Sequence, residues 1–211
     1  MGKIEGVIIK ENWVYDELYL ILQDAYRVIY ISYQNLIPEK RKNKYINIKG
    51  FQLENYITND LVKYMINIPK HFDYRIQKQQ EDIETNSKID IAVLYSLTFG
   101  DNTCDLKIEC KRLDNLNYFI TDGIEGFKTN KYAEKLKIAG FLAYNISNTL
   151  TENIELLNSK IKKKISDNEV LKEFSIIEDY TQTYKSNHKR VSNSNIDIYT
   201  MALNFKDVIS N

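Results

Sequence analysis

The sequence predicts a mixed α/β fold, with one sheet and helices packed against it. Two observations carry this. Some segments repeat apolar residues every three or four positions, while others alternate apolar and polar residues at a period of two. The two kinds of segment follow one another as helix, strands, helix, strand, helix, strands, an order that places helices against a shared mixed sheet.

Trp13, Val14, Leu18, Ile21, Leu22, Ala25, Tyr26, Ile29 and Tyr30 form the apolar stripe of a helix over residues 13–33. Pro38 and the basic run Lys40-Arg41-Lys42-Asn43-Lys44 read as a linker ending near Gly50. A second helix is expected at 51–66, with Ile57, Leu61, Val62, Met65 and Ile66 on its apolar side and Pro69 as its stop. Strands are expected at 72–79, 89–96 and 105–112. The last two are joined by a turn containing Gly100-Asp101-Asn102. A helix at 118–128, a strand at 137–146 and an amphipathic helix at 151–165 follow, the last capped by Thr149 or Thr151. Short strands at 174–177 and 196–205 complete the chain. The expected organisation is an N-terminal helix and linker over 1–50, then one domain over 51–211.

A chain of 211 residues suits this plan, and 43% apolar residues can build a core. The 29 basic and 29 acidic residues cancel, so any nucleic-acid contact must use local patches such as Lys40 to Lys44, Lys160 to Lys164 or Lys185 to Arg190, each of which is otherwise a solvated surface run, the favoured reading for Lys160 to Lys164. Two cysteines without a pairing pattern point to a reducing compartment. No apolar run approaches the ~20 residues that span a bilayer, and the first residues lack a signal-peptide core. The expectation is a cytoplasmic protein with no membrane partner.

The residues that carry chemistry lie on the strands at 89–96 and 105–112. Alternation puts Glu109 and Lys111 on one face and Leu106, Ile108 and Cys110 on the other. A hairpin then brings Asp90 beside Glu109. Two carboxylates and an amine on one face can bind a divalent metal and activate water against a phosphodiester. Mg²⁺ or Mn²⁺ needs only one or two carboxylates plus other oxygens. Asp90 and Glu109 are the expected ligands, with the Cys110 carbonyl as a third oxygen. Lys111 would orient the attacking water or stabilise phosphate charge. Acid-x-Lys occurs twice, as Asp105-Leu106-Lys107 and Glu109-Cys110-Lys111. The second pair is preferred because it lies deeper in the apolar strand. A solvated hairpin face with cross-strand salt bridges is the plainer alternative.

Helix, Asp-bearing strand, Glu-x-Lys strand, helix and strand in this order resemble the PD-(D/E)xK nuclease superfamily, with its restriction-endonuclease-like core. Ile89-Asp90 stands where that pattern has Pro-Asp, without the proline, and Glu109-Cys110-Lys111 matches its second half. Glu54 matches the acidic residue that many members carry on the preceding helix. Downstream, Glu109 to Leu113, Tyr118 to Phe127 with Gly123-Ile124 inside it, Lys131-Tyr132 and Ala139 to Tyr144 are similar to small bacterial nucleases found beside restriction or phage-defence genes. The likeness covers about residues 51–205 and leaves the N-terminal helix outside. It implies a restriction-endonuclease-like sheet flanked by helices, and a Mg²⁺-dependent endodeoxyribonuclease of restriction or phage defence.

Further candidates surround this set. Glu54 is a third acidic ligand or a favourable charge near a helix start. Lys128, Lys131 and Tyr132 suit a phosphate backbone and a stacked base or sugar, or, for Tyr132, core packing. Tyr184 to Arg190 concentrates donors in a turn-rich stretch, where His188 and Arg190 suit phosphate contact or local structure, in preference to His188 as an acid or base. DNA is the expected partner, with RNA open, and a homodimer would place two sites for two strands. The rival readings are a subunit of a larger defence complex active only with partners, and a non-catalytic module that keeps the fold.

Overall fold

The computed structural model describes residues 2–48, 50–82, 87–96, 103–133 and 136–210; side chains are described from residue 14 onward, except at 79–82, 87–89, 96 and 103–105. The expected turn at 100–102 and the side chains of Trp13, Gln79, Cys104 and Asp105 lie outside that description. The elements are α1 (Gly2–Lys42), β1 (Tyr45–Ile46), α2 (Gly50–Met65), β2 (Tyr74–Asp82), β3 (Ser87–Ser96) and β4 (Thr103–Arg112). A broken helix α3 at 116–128 follows, then β5 (Ile138–Asn145), α4 (Leu150–Lys164), β6 (Lys172–Glu173), β7 (Thr183–Lys189), β8 (Asn195–Asn204) and β9 (Ile209–Ser210).

The seven-stranded sheet has the order β2-β3-β4-β5-β8-β7-β6. Its first three strands form an antiparallel meander, β4, β5 and β8 run parallel, and β7 and β6 return antiparallel. The mixed sheet and flanking helices follow the predicted α/β class. β1 and β9 pair separately in parallel.

Two apolar layers cover the sheet. On one face, Leu22, Tyr26 and Ile29 of α1 and Leu53, Ile57 and Leu61 of α2 pack on Ile91, Ile108, Cys110 and Leu142. On the other, Phe119, Ile124 and Phe127 of α3 and Leu157 and Ile161 of α4 pack on Ala92, Phe141 and Ala143. The N-terminal helix thus shares a core with the sheet. Tyr26 ties it there: its buried hydroxyl donates to Tyr199 O at 2.5 Å and accepts from Phe141 N at 2.8 Å. α4 begins with the expected Thr149, in a capping box with Glu152.

Three expectations are corrected. The linker after Pro38 is helix: α1 runs to Lys42 with Pro38 inside it. Proline removes its own N–H from the ladder and crowds the carbonyl of Gln34, four residues earlier, so the turn beyond it needs outside support. The turn beyond it is held to α2, where Lys40 Nζ lies 2.8 Å from Asp60 Oδ2 and Glu39 accepts from the Tyr64 hydroxyl. The short strand expected at 174–177 lies instead at Lys172–Glu173, and Ile177 makes only an isolated bridge to Tyr180. The stretch 184–190, read as a turn, is mostly strand β7, paired with β8 from Thr183–Met201 to Lys189–Asn195. Among the described residues, no helix is long and apolar enough to cross a membrane.

Candidate active site

The antiparallel register of β3 and β4 sets Ile91 opposite Ile108 and Ala92 opposite Lys107. The next position brings Asp90 alongside Glu109. Asp90 Oδ2 accepts from Cys110 N at 2.9 Å, which fixes its carboxylate over β4. Alternation puts Glu109 and Lys111 on the α3 side of the sheet and Cys110 in the opposite core, where its thiol is fully buried.

Lys111 is the hub. Its ammonium donates to Glu109 Oε1 and to Cys110 O, the latter at 3.2 Å. It lies 3.7 Å from Glu54 Oε1, 3.8 Å from Asp90 Oδ2 and 3.5 Å from Asp122 Oδ2. Glu54 comes from α2, across the sheet end, and its Oε2 accepts from Arg112 N at 3.2 Å. That contact locks α2 to the last residue of β4. The structure therefore brings together all four expected catalytic residues: Glu54, Asp90, Glu109 and Lys111. The second acid-x-Lys pair is the one at the hub. Lys107 is buried on the same strand, while its partner in the first pair, Asp105, has no described side chain.

Burial dominates the electrostatics. Glu54, Glu109 and Lys111 are each no more than 3% exposed. Burial is the largest influence on each acid: it pushes Glu54 up to about 7, raises Asp90, and raises Glu109 well above the carboxylate range, with Lys111 opposing in all three. Burial alone would pull Lys111 down. The charges of Glu109, Asp90 and Glu54 outweigh it and hold the amine above its ordinary value. Glu54 Oε1 and Glu109 Oε2 are buried without a hydrogen-bond partner. Four carboxylates face only two amines, Lys111 and Lys131, and the crowding of acids adds to burial in holding Glu54, Asp90 and Glu109 toward their protonated forms.

Asp122 escaped the sequence reading. It projects from a π-helical turn, Phe119–Ile124, inside the helix that follows the motif. A π turn adds a residue to the helical cycle and shifts the positions around it, so a 3.6-residue count misplaces Asp122. Gly123 makes the close approach possible, because a Cβ there would lie 2.6 Å from Phe141 and 3.5 Å from Lys111 Cγ. Asp122 is also paired with Lys131 at 2.7 Å, and burial, which would raise it, is outweighed by Lys131, Lys111 and Tyr118, so it stays below the usual carboxylate range. The Tyr118 ring lies 5.2 Å from Lys111 Nζ. The signal available in sequence was the acid itself, one turn past Tyr118.

Of the expected nucleic-acid contacts, Lys131 joins this cluster through Asp122, and the Tyr132 ring lies 4.8 Å from the Lys131 amine, with burial and then the Glu109 charge raising the Tyr132 phenol above its ordinary value. Lys128 pairs with Glu169 at 2.8 Å. His188 is fully buried between Glu169 and Ser186 Oγ, both at 2.8 Å. The Arg190 guanidinium donates to the carbonyls of Phe127, Leu136 and Ala133 at 3.1, 2.9 and 2.6 Å. Tyr132 is buried edge-on to Phe127. These side chains hold β7 and the loop after α3 in place.

Among the described residues, no group of three His, Cys, Asp or Glu side chains is placed to hold a metal ion. No family model matches the chain, and neither a curated protein nor a solved structure matches it.

Proposed function

We infer that this protein is a metal-dependent endonuclease that hydrolyses DNA phosphodiester bonds, with restriction or phage defence as the setting that its likeness to PD-(D/E)xK nucleases implies. One observation carries the reading: the Lys111 amine is held among Glu54, Asp90, Glu109 and Asp122 where β3, β4, α2 and α3 meet. A buried cluster of this kind costs stability, because desolvating each charge is expensive, and its retention supports a functional role.

The donor chemistry suits a Mg²⁺ or Mn²⁺ ion once the Lys111 ammonium moves aside: the donors are oxygens, and the unpartnered Glu54 Oε1 and Glu109 Oε2 are buried acceptors. Asp90, Glu109 and the Cys110 carbonyl would hold the ion, with Glu54 beside them. When bound, it supplies Lewis acidity and a more acidic water. Lys111 contributes a fixed positive charge for the phosphate and an N–H donor to orient the attacking water. Asp122 and Tyr118 set the position of that amine, and the hydrogen bond from Cys110 N holds the Asp90 carboxylate over β4.

Calorimetric titration of Mg²⁺ and Mn²⁺ into wild type and Asp90→Ala, alone and with a DNA oligonucleotide present, tests the reading. Cation binding lost in the variant supports it. Equal binding by both proteins under both conditions contradicts it.

A further inference from the structure

Beside the cluster lies a cavity of about 290 Å³ lined by Gly50, Phe51, Glu54, Arg112, Asn115 and Tyr118. Two of its lining side chains are solvent-exposed aromatic rings, Phe51 at 60% and Tyr118 at 39%. Phe51 adds nothing to the core, which α2 reaches through Leu53, Ile57 and Leu61. Gly50 turns the chain into α2 at a φ of 60°, and the space where its Cβ would stand is open. Glu54 belongs both to the cavity lining and to the Lys111 cluster, so the cavity is continuous with the residues proposed to cut.

The chemistry of this lining is particular. Phe51 offers an exposed stacking face, while the other polar groups are already engaged: Asn115 Oδ1 accepts from Tyr118 N at 3.3 Å, the Tyr118 ring lies 5.2 Å from Lys111 Nζ, and Arg112 Nε lies 3.5 Å from Asp114. The volume is just under the ~300–1,000 Å³ range of small-molecule sites, which suits one planar ring system and not a closed duplex. Stacking on exposed aromatic rings is the sequence-tolerant way proteins hold unpaired bases. We propose that this cavity is a stacking subsite for one unpaired nucleobase of a strand led into the Lys111 cluster. The preferred substrate is then a single strand, frayed end or flap. The subsite rests on the nuclease reading only for what happens to the strand once bound.

The test uses the Asp90→Asn protein in Mg²⁺, with the strand left uncut, and fluorescence anisotropy of two labelled probes of equal length. One is a single-stranded oligothymidylate; the other is an abasic strand with the same phosphates. The expected result is a base-bearing preference of about tenfold or more, as stacking of one base provides. That preference should vanish in Phe51→Ala and return in Phe51→Trp. Equal affinity for the two probes, or a preference that survives Phe51→Ala, overturns the subsite. The two claims fail separately. Wild-type protein that cuts nucleic acid without a base preference loses the subsite and keeps the nuclease. A Phe51-dependent preference in a protein that cuts nothing does the reverse.

Discussion

Lys111 Nζ lies 3.5 Å from Asp122 Oδ2, a carboxylate from the π turn of α3 rather than from the strands or α2. The contact closes the fourth side of the charge cluster, and Lys131 holds Asp122 from behind at 2.7 Å. Asp122 thus ties the helix after the motif to the Lys111 amine, and on the nuclease reading it positions that amine.

Asp122→Ala should leave the protein folded, since Asp122 is partly exposed. Loss of positioning should slow DNA cutting by about ten- to a hundredfold. Asp122→Asn, which keeps the shape and a hydrogen-bonding oxygen, should recover part of the rate. Single-turnover cutting by the three proteins measures this, and an unchanged rate in Asp122→Ala would remove Asp122 from the site.

Lys111→Ala removes the internal counter-charge. Breaking a buried ion pair from one side costs about 3–5 kcal/mol, so the melting temperature in EDTA should fall by roughly 10 °C for a chain of this size. Mg²⁺ should then raise the melting temperature of the variant more than that of wild type, because the amine no longer competes for Glu54 and Glu109. Cutting should be lost. Thermal scans with and without Mg²⁺ check the first two outcomes.

Glu54 carries a pH signature. Burial raises its pKa to about 7, so the fold prefers the protonated form. Its contribution to stability is complete below the ordinary carboxylate range and is lost as pH rises through about 7. Glu54→Gln keeps a neutral side chain at every pH. It should match wild type near pH 4 and melt several degrees higher at pH 8, with the metal absent. Melting curves across that range decide it, and a variant less stable than wild type at pH 8 would contradict the burial argument.

Arg190 should behave as a structural residue. Three carbonyls accept from its buried guanidinium, and truncation leaves them unpaired, at a cost of about 3 kcal/mol. Arg190→Lys should recover little, since one ammonium does not span three separated acceptors. Chemical denaturation of both variants tests this. A full-stability Arg190→Ala with weakened, salt-sensitive DNA binding would return Arg190 to the phosphate-contact role.

Where the sequence was legible, simple periodicity made it so. Period-two alternation on β4 separated Glu109 and Lys111 from Cys110, and the hairpin register brought Asp90 to them. The helix at 51–66 was visible from its stripe, and with it the placement of Glu54. What escaped has local causes. Asp122 sits on a π turn, where helical counting slips. β7 carries Ser186 and His188 inward, satisfied by each other and by Glu169, so a buried strand reads as a polar loop. Arg190 looks like a surface charge because the backbone carbonyls that fold around it leave no mark in sequence. α1 continues past Pro38 because Lys40 and Glu39 dock on α2, a long-range contact that overrides the local stop.

The most direct test is cutting of supercoiled plasmid, and of single-stranded DNA, by wild type and Asp90→Ala in Mg²⁺, with an EDTA control. The account predicts cutting by wild type in Mg²⁺, none in EDTA and none by a folded Asp90→Ala. Equal cutting by the two proteins, or cutting that persists in EDTA, would contradict it.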